Sequence, residues 1–157
     1  MSKDSFHMHP VAHVRGGRAE PEDDAWGGVV ARIELDAARF GAEALAGIDA
    51  FSHLEVVYVF HRVPEDEVQE GARHPRGNTE WPRVGIFAQR GKGRPNRLGV
   101  SRCRLLGVEG TVLTVQGLDA IDGTPVLDIK PWCAEFGPIG PVRQPRWITE
   151  LMAHYYD

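Results

Sequence analysis

Between Arg83 and Lys130, four segments in succession carry the apolar alternation of β-strands: RVGIFAQ, GVSRCRLLGV, TVLTVQGL and TPVLDIK. The joints between them are short and rich in Gly, Pro and Asp. A parallel pair needs a crossover of a dozen or more residues, usually a helix, and these joints supply none. The strands must therefore run antiparallel. The dipeptide Glu109-Gly110 marks a hairpin between the second and third of them.

Upstream, three further segments read as strands: His9 to Gly16, Val29 to Leu35, and His53 to His61, the last a β-branched and aromatic run suited to a central position. Two segments carry helical spacing. AARFGAEALAGI follows Asp36 as N-cap and ends near Gly47, and Pro145 to Tyr155 opens on a proline. The expected fold is mainly β (α+β): a small antiparallel β-barrel-like domain with one internal helix and a C-terminal helix. The 157 residues suit one domain, read as 11–157 and ending in the short helix, behind a flexible N-terminus at 1–10. No repeat or low-complexity tract interrupts it.

No apolar run approaches the ~20 residues of a membrane span, and MSKDSFHMHP lacks the apolar stretch of a signal peptide. Cys103 and Cys133 are far apart and match no metal spacing, which suits two reduced thiols in the cytoplasm. The net charge is −4, yet nine of the 18 Lys and Arg residues fall between Arg73 and Arg104, against the single acid Glu80. The stretch from Glu20 to Glu70 is acidic instead. A basic face on an acidic chain favours a specific anionic ligand over non-specific binding to duplex DNA.

That basic segment contains GKGRPNRLG, Gly91 to Gly99. It is not a phosphate loop, because Lys92 follows Gly91 at once and no hydroxyl residue follows the lysine. No G-x-G-x-x-G opens a strand–helix–strand unit either. Its glycines allow close backbone approach, and Arg90 and Arg94 can grip a carboxylate or phosphate in bidentate fashion. Asn96, after the constrained Pro95, can turn the chain or present an amide to a planar ring. Lys92 and Arg97 read as exposed cations, with Arg73 and Arg76 extending the field toward an RNA backbone. In GLDAIDGTPVLDIKPW, Asp119 and Asp122 flank a turn and either cap it or accept from a hydroxyl or amine ligand. Asp128 and Lys130 share a strand face, and a carboxylate in an apolar strand needs such a partner. His7, His9 and His13 lie near one end, while His53 and His61 are roughly 26 Å apart if extended, too far to share a metal. No metal is expected.

The blocks DAFSHLEVVYVFH, GIFAQRGKGRPNRLGVS and GLDAIDGTPVLDIKPW resemble, in order and spacing, those of the TrmO family, also called YaeB-like or TsaA-like. The resemblance spans roughly Val11 to Trp132. It implies a β-barrel-like homodimer that transfers a methyl group from S-adenosylmethionine, without metal, to N6 of threonylcarbamoyladenosine beside the tRNA anticodon. It implies donor contacts at His61, Arg62, Arg90, Arg94, Ser101, Arg102 and the run Leu118, Asp119, Ala120, Ile121 and Asp122, with Asp24 and Trp26 from the first loop. Catalytic candidates are Arg94, Asp122 and Asp128. Candidates for the RNA are Arg73, Arg76, Lys92, Asn96, Arg97 and Lys130. The chain departs from the family pattern in reading PEDDAWGG where PRQ is common, in Arg97 after RPN, and in Trp132 where KPY is usual. The extra C-terminal domain of longer members does not follow. The alternatives are a methyltransferase for a different acceptor and a non-catalytic S-adenosylmethionine-binding module.

Overall fold

A computed structural model describes residues 3–157; the first two residues of the expected flexible N-terminus lie outside it. Six strands close an antiparallel barrel: β1 (Ala12–Arg15), β2 (Val30–Leu35), β3 (His53–Val59), β6 (Leu98–Glu109), β7 (Val112–Gln116) and β8 (Pro125–Pro131). Around the barrel the order is β1-β2-β7-β6-β3-β8, with β8 pairing back to β1. β4 (Ala72–Arg73) and β5 (Val84–Gly85) form a separate two-stranded ribbon.

Alternation decides which side chains enter the barrel. Val14, Ile33, Leu54, Val56, Leu113, Val115 and Val126 face inward and are fully buried. β3, the β-branched run, pairs on both edges, with β6 and β8, and so is central. At the β6–β7 hairpin Glu109 pairs with Val112, and Gly110 takes a left-handed φ of 60°. Bulges interrupt the ladders at Val57/Tyr58 and between Leu105 and Gly107, where the closing sheet must bend.

Two expectations fail locally and a third holds over a shorter span. The internal helix is two short 3₁₀ turns, Ala42–Leu45 and Ile48–Ala50. Gly41 precedes the first and Gly47, at φ 86°, separates them, so no segment is long enough to repay helix nucleation. Asp36 caps only one turn, its Oδ1 accepting from the Ala38 N–H at 3.1 Å. RVGIFAQ is not a barrel strand either. Only Val84–Gly85 forms a strand, Ile86–Ala88 turns, and the buried Gln89 amide donates back to the Val84 carbonyl at 2.9 Å. The C-terminal helix α1 spans only Arg146–Leu151, after Pro145. Beyond it the chain makes only single turns, and the carbonyls of His154 and Tyr155 accept from the Ala25 and Trp26 N–H groups of the first loop.

Candidate functional site

The antiparallel order brings one set of strand ends together. β1, β3 and β7 run toward the end of the barrel from which β2, β6 and β8 start. The loops 16–29, 60–97 and 117–124 therefore all emerge at one mouth. Most of the residues singled out in the sequence lie on these loops or the strand ends beside them.

At this mouth the Asp119 carboxylate is surrounded by hydroxyls. Tyr58, at the end of β3, donates to Oδ1 at 2.8 Å, and Ser101, from β6, donates to the same oxygen. Tyr155, from the tail beyond α1, donates to Oδ2. Burial, reinforced by the Asp119 charge, pushes both phenols well above the usual tyrosine range, so they remain donors at neutral pH. The same two causes push the Cys103 thiol up to about 12. The Tyr58 ring lies against Gly99, its pairing partner on β6: a Cβ at residue 99 would sit 2.6 Å from two ring carbons. The last glycine of the GKGRPNRLG loop thus makes room for the tyrosine that holds Asp119.

Arg90 and Arg102 approach this group. Each carries a charge that acts on the Tyr156 hydroxyl, and Arg90 also acts on Tyr155. Arg90 donates to the Val100 carbonyl at 2.9 Å, and Arg102 lies over the Trp132 ring at 5.7 Å. Arg94 instead braces its own loop, donating to the carbonyls of Gln89 at 2.6 Å and Gly91 at 3.3 Å. Asn96 and Arg97 both have left-handed φ, 63° and 50°, a sparsely populated conformation for the arginine. Asn96 is exposed.

The first loop and the 118–123 turn meet at the same mouth. Leu118, Ala120 and Ile121 are buried and fix the turn. Asp122 Oδ1 accepts from the Gly16 N–H at 2.8 Å, so its side chain ties this turn to the start of the first loop. Trp26 is buried beneath the Arg18 guanidinium, 4.5 Å from its ring centre. Asp24 accepts from Arg76 at 3.0 and 3.3 Å. Arg62 pairs with Glu20 at 3.0 Å. His61 lies near Gly123, and its pKa is lowered, first by desolvation and then by the charges of Arg62 and His13.

The cations separate into used and unused. Arg97 donates to the Val63 carbonyl at 2.7 Å, so it ties the two arms of the 60–97 loop instead of projecting outward. Arg73 lies under the glycine loop: a Cβ on Gly91 would meet its guanidinium at 2.8 Å, and its Nε is buried. Arg76 is engaged by Asp24. Lys92 is exposed, and its ammonium has no polar partner among the described residues. Asp128 does not sit in an apolar environment as its strand suggested. The β3–β8 bulge accompanies its placement on the outer face, exposed and paired with Lys130 at 3.2 Å, away from the hydroxyls around Asp119.

Sequence reasoning missed Tyr58, Tyr155 and Gly99. Tyr58 did carry a signal, since an inward-facing tyrosine needs a partner for its hydroxyl. An open depression of about 560 Å³ lies elsewhere, lined by His9, His13, Arg15, Glu34 and Asp36 among others, and shares no residue with the Asp119 group. Among the described residues no three His, Cys, Asp or Glu side chains converge as metal ligands, and no helix is long and apolar enough to cross a membrane.

The chain is similar to known proteins in sequence and in fold. A tRNA (adenine(37)-N6)-methyltransferase of Escherichia coli is 42% identical over 97 residues, covering 58% of this chain and 40% of that protein. A probable S-adenosyl-L-methionine-binding protein, VirR, of Rhizobium radiobacter is 39% identical over 108 residues, covering 66% and 56%. The crystal structure of TrmO from Pseudomonas aeruginosa superposes with a TM-score of 0.73 at 28% identity, covering 90% of this chain and 62% of that one. The chain thus spans less than two thirds of the length of each. Residues 20–137, well over half of the chain, match the tRNA-methyltransferase O N-terminal domain, and the chain belongs to that family.

Proposed function

We propose that the protein is a methyltransferase that uses S-adenosylmethionine to methylate N6 of threonylcarbamoyladenosine next to the tRNA anticodon. The observation that carries this reading is the convergence at one barrel mouth of the family's sequence blocks around a single carboxylate, Asp119, with the Arg90 charge acting on its partner Tyr155. The donor set fits the methyl donor. A carboxylate rimmed by hydroxyls suits an ammonium or ribose hydroxyl, and a guanidinium suits the donor's carboxylate. When bound, S-adenosylmethionine supplies a methyl group already activated by its sulfonium. What the chain must supply is alignment of the acceptor nitrogen with that methyl, which suits a mouth fixed by buried side chains. It must also polarise a weakly nucleophilic N–H.

Exposed Lys92 is the loop cation best placed for an RNA phosphate, since Arg76 and Arg97 have partners within the protein and Arg73 lies half-buried under the glycine loop. Arg94 shapes the loop that carries it. Working as a single domain from residue 11 to 157 and as a homodimer in the cytoplasm completes the proposal. Exposed Phe136, Ile139 and Val142 offer apolar surface to a second copy. Sedimentation should give twice the 17.4 kDa chain mass.

The test is incubation with labelled S-adenosylmethionine and total tRNA, followed by nucleoside analysis. Label in N6-methylated threonylcarbamoyladenosine is expected. Label in another nucleoside, or none, refutes the assignment. The similarity to a probable S-adenosylmethionine-binding protein supports a second reading, binding without transfer. That reading predicts donor affinity with no labelled RNA.

A further inference from the structure

Tyr155 lies beyond the residues that match the family domain, which end at 137, yet its hydroxyl reaches Asp119, 36 residues away in the chain. The tail that carries it is firmly attached. Two successive backbone hydrogen bonds, Ala25 N–H to His154 at 3.0 Å and Trp26 N–H to Tyr155 at 2.8 Å, fasten it to the first loop. Ala25 adopts a left-handed φ of 66° there. At Gly27 a Cβ would fall 2.1 Å from the Tyr156 carbonyl oxygen, so only glycine lets the tail lie so close. The Tyr156 ring packs edge-on against that of Tyr155, with centres 4.9 Å apart. This is a docked segment, held at main chain and side chain, and not a loose end resting over the site.

A carboxylate offers about four acceptor positions, two on each oxygen. Tyr58 and Ser101 take those of Oδ1, and Tyr155 takes one of Oδ2. We infer that Tyr155 is a positioning residue: it pins Oδ2 of Asp119, fixes the plane of the carboxylate and leaves one acceptor position for a single N–H or O–H of the ligand. Bidentate grip of a vicinal diol by Asp119 is excluded while Tyr155 is in place. The ligand group is thus one hydroxyl or one ammonium hydrogen, and the C-terminal tail is part of the site.

The inference rests on the proposal that S-adenosylmethionine is the ligand at Asp119, so the test includes a readout that needs no ligand. Tyr155→Phe keeps the ring and its packing and deletes one hydroxyl. In the unliganded crystal structure of this variant the Asp119 carboxylate is expected to rotate away from its orientation in the parent. By calorimetry S-adenosylmethionine should bind about tenfold more weakly, the scale of a charge-assisted hydrogen bond. Tyr156→Phe, whose hydroxyl makes no hydrogen bond among the described residues, should bind like the parent. An unmoved carboxylate overturns the inference whatever the ligand does. Unchanged or tighter binding by Tyr155→Phe overturns it too, the latter because the hydroxyl would then be an obstacle. If the parent itself fails to bind S-adenosylmethionine, the functional proposal falls, and the Asp119 orientation still decides the role of Tyr155.

Discussion

Gly99→Ala tests the link between the glycine loop and the Asp119 site. The new Cβ would lie 2.6 Å from two ring carbons of Tyr58 and 2.9 Å from the Phe60 ring. Neither contact is with the end of a flexible chain. Tyr58 is 1% exposed, packs edge-on against Phe60 and has its hydroxyl fixed by Asp119. Overpacking of this kind costs about 1–3 kcal/mol. If the ring yields, its hydrogen bond to the carboxylate goes with it, a further ~1.5–3 kcal/mol. A total near 3 kcal/mol is about the middle of these outcomes, and for a chain of this length it lowers the melting temperature by roughly 6–12 °C. Urea unfolding of the parent, Gly99→Ala, Tyr58→Phe and the double variant gives the cycle. Gly99→Ala should cost less in the Tyr58→Phe background by about 1.5 kcal/mol, because that hydrogen bond is already gone. A loss below about 1 kcal/mol, or no coupling, would refute the packing argument.

Asp119→Ala should weaken S-adenosylmethionine binding by on the order of 1.5–3 kcal/mol, read by calorimetry on folded protein. Lys92→Ala should lower the salt slope of tRNA binding by about one unit; Arg97→Ala should leave the slope alone and lower the urea midpoint, since its guanidinium serves the Val63 carbonyl. A thiol reagent at pH 8 should modify Cys133 quickly and buried Cys103 only on unfolding, with one fast equivalent per chain. The raised Cys103 pKa also sets a pH trend. The unfolded thiol ionises near pH ~8.5 while the folded one resists until about 12, so this contribution to stability is full below pH ~8.5 and declines above it. Urea midpoints at pH 7 and 10 should differ in the parent and less in Cys103→Ala.

The barrel was legible because its strands obey a period of two and their joints are too short for crossovers. RVGIFAQ misled because the same apolar alternation served a turn: Ile86 is buried under the loop while Phe87 points to solvent. The 37–47 segment had helical spacing but not helical continuity, and Gly41 and Gly47 decided against it. At the site, the motif left Asp119 open between a turn cap and a ligand group, and only the barrel brings Tyr58, Ser101 and Tyr155 around it. Tyr155 was not readable, because nothing local distinguishes a helix-terminal tyrosine from one that leaves the helix to reach a distant loop. The arginines show the opposite limit. A basic cluster is visible in sequence, but whether Arg97 faces solvent or the Val63 carbonyl depends on how residues 60–97 fold back on themselves.

The hydroxyls around Asp119 come from positions 58, 101 and 155, on elements far apart along the chain. No fragment that ends before residue 155 holds all of them, and β8 must join β1 to β3 before the mouth exists. Loop closure over such separations is slow, placing barrels of this kind among millisecond-to-second folders. During synthesis the strands β1 to β7 leave the ribosome before their closing partner does. The carboxylate therefore gains its full set of donors only once Tyr155 has been synthesised and docked. Ligand affinity followed during refolding would report the final step of assembly, not the collapse that precedes it.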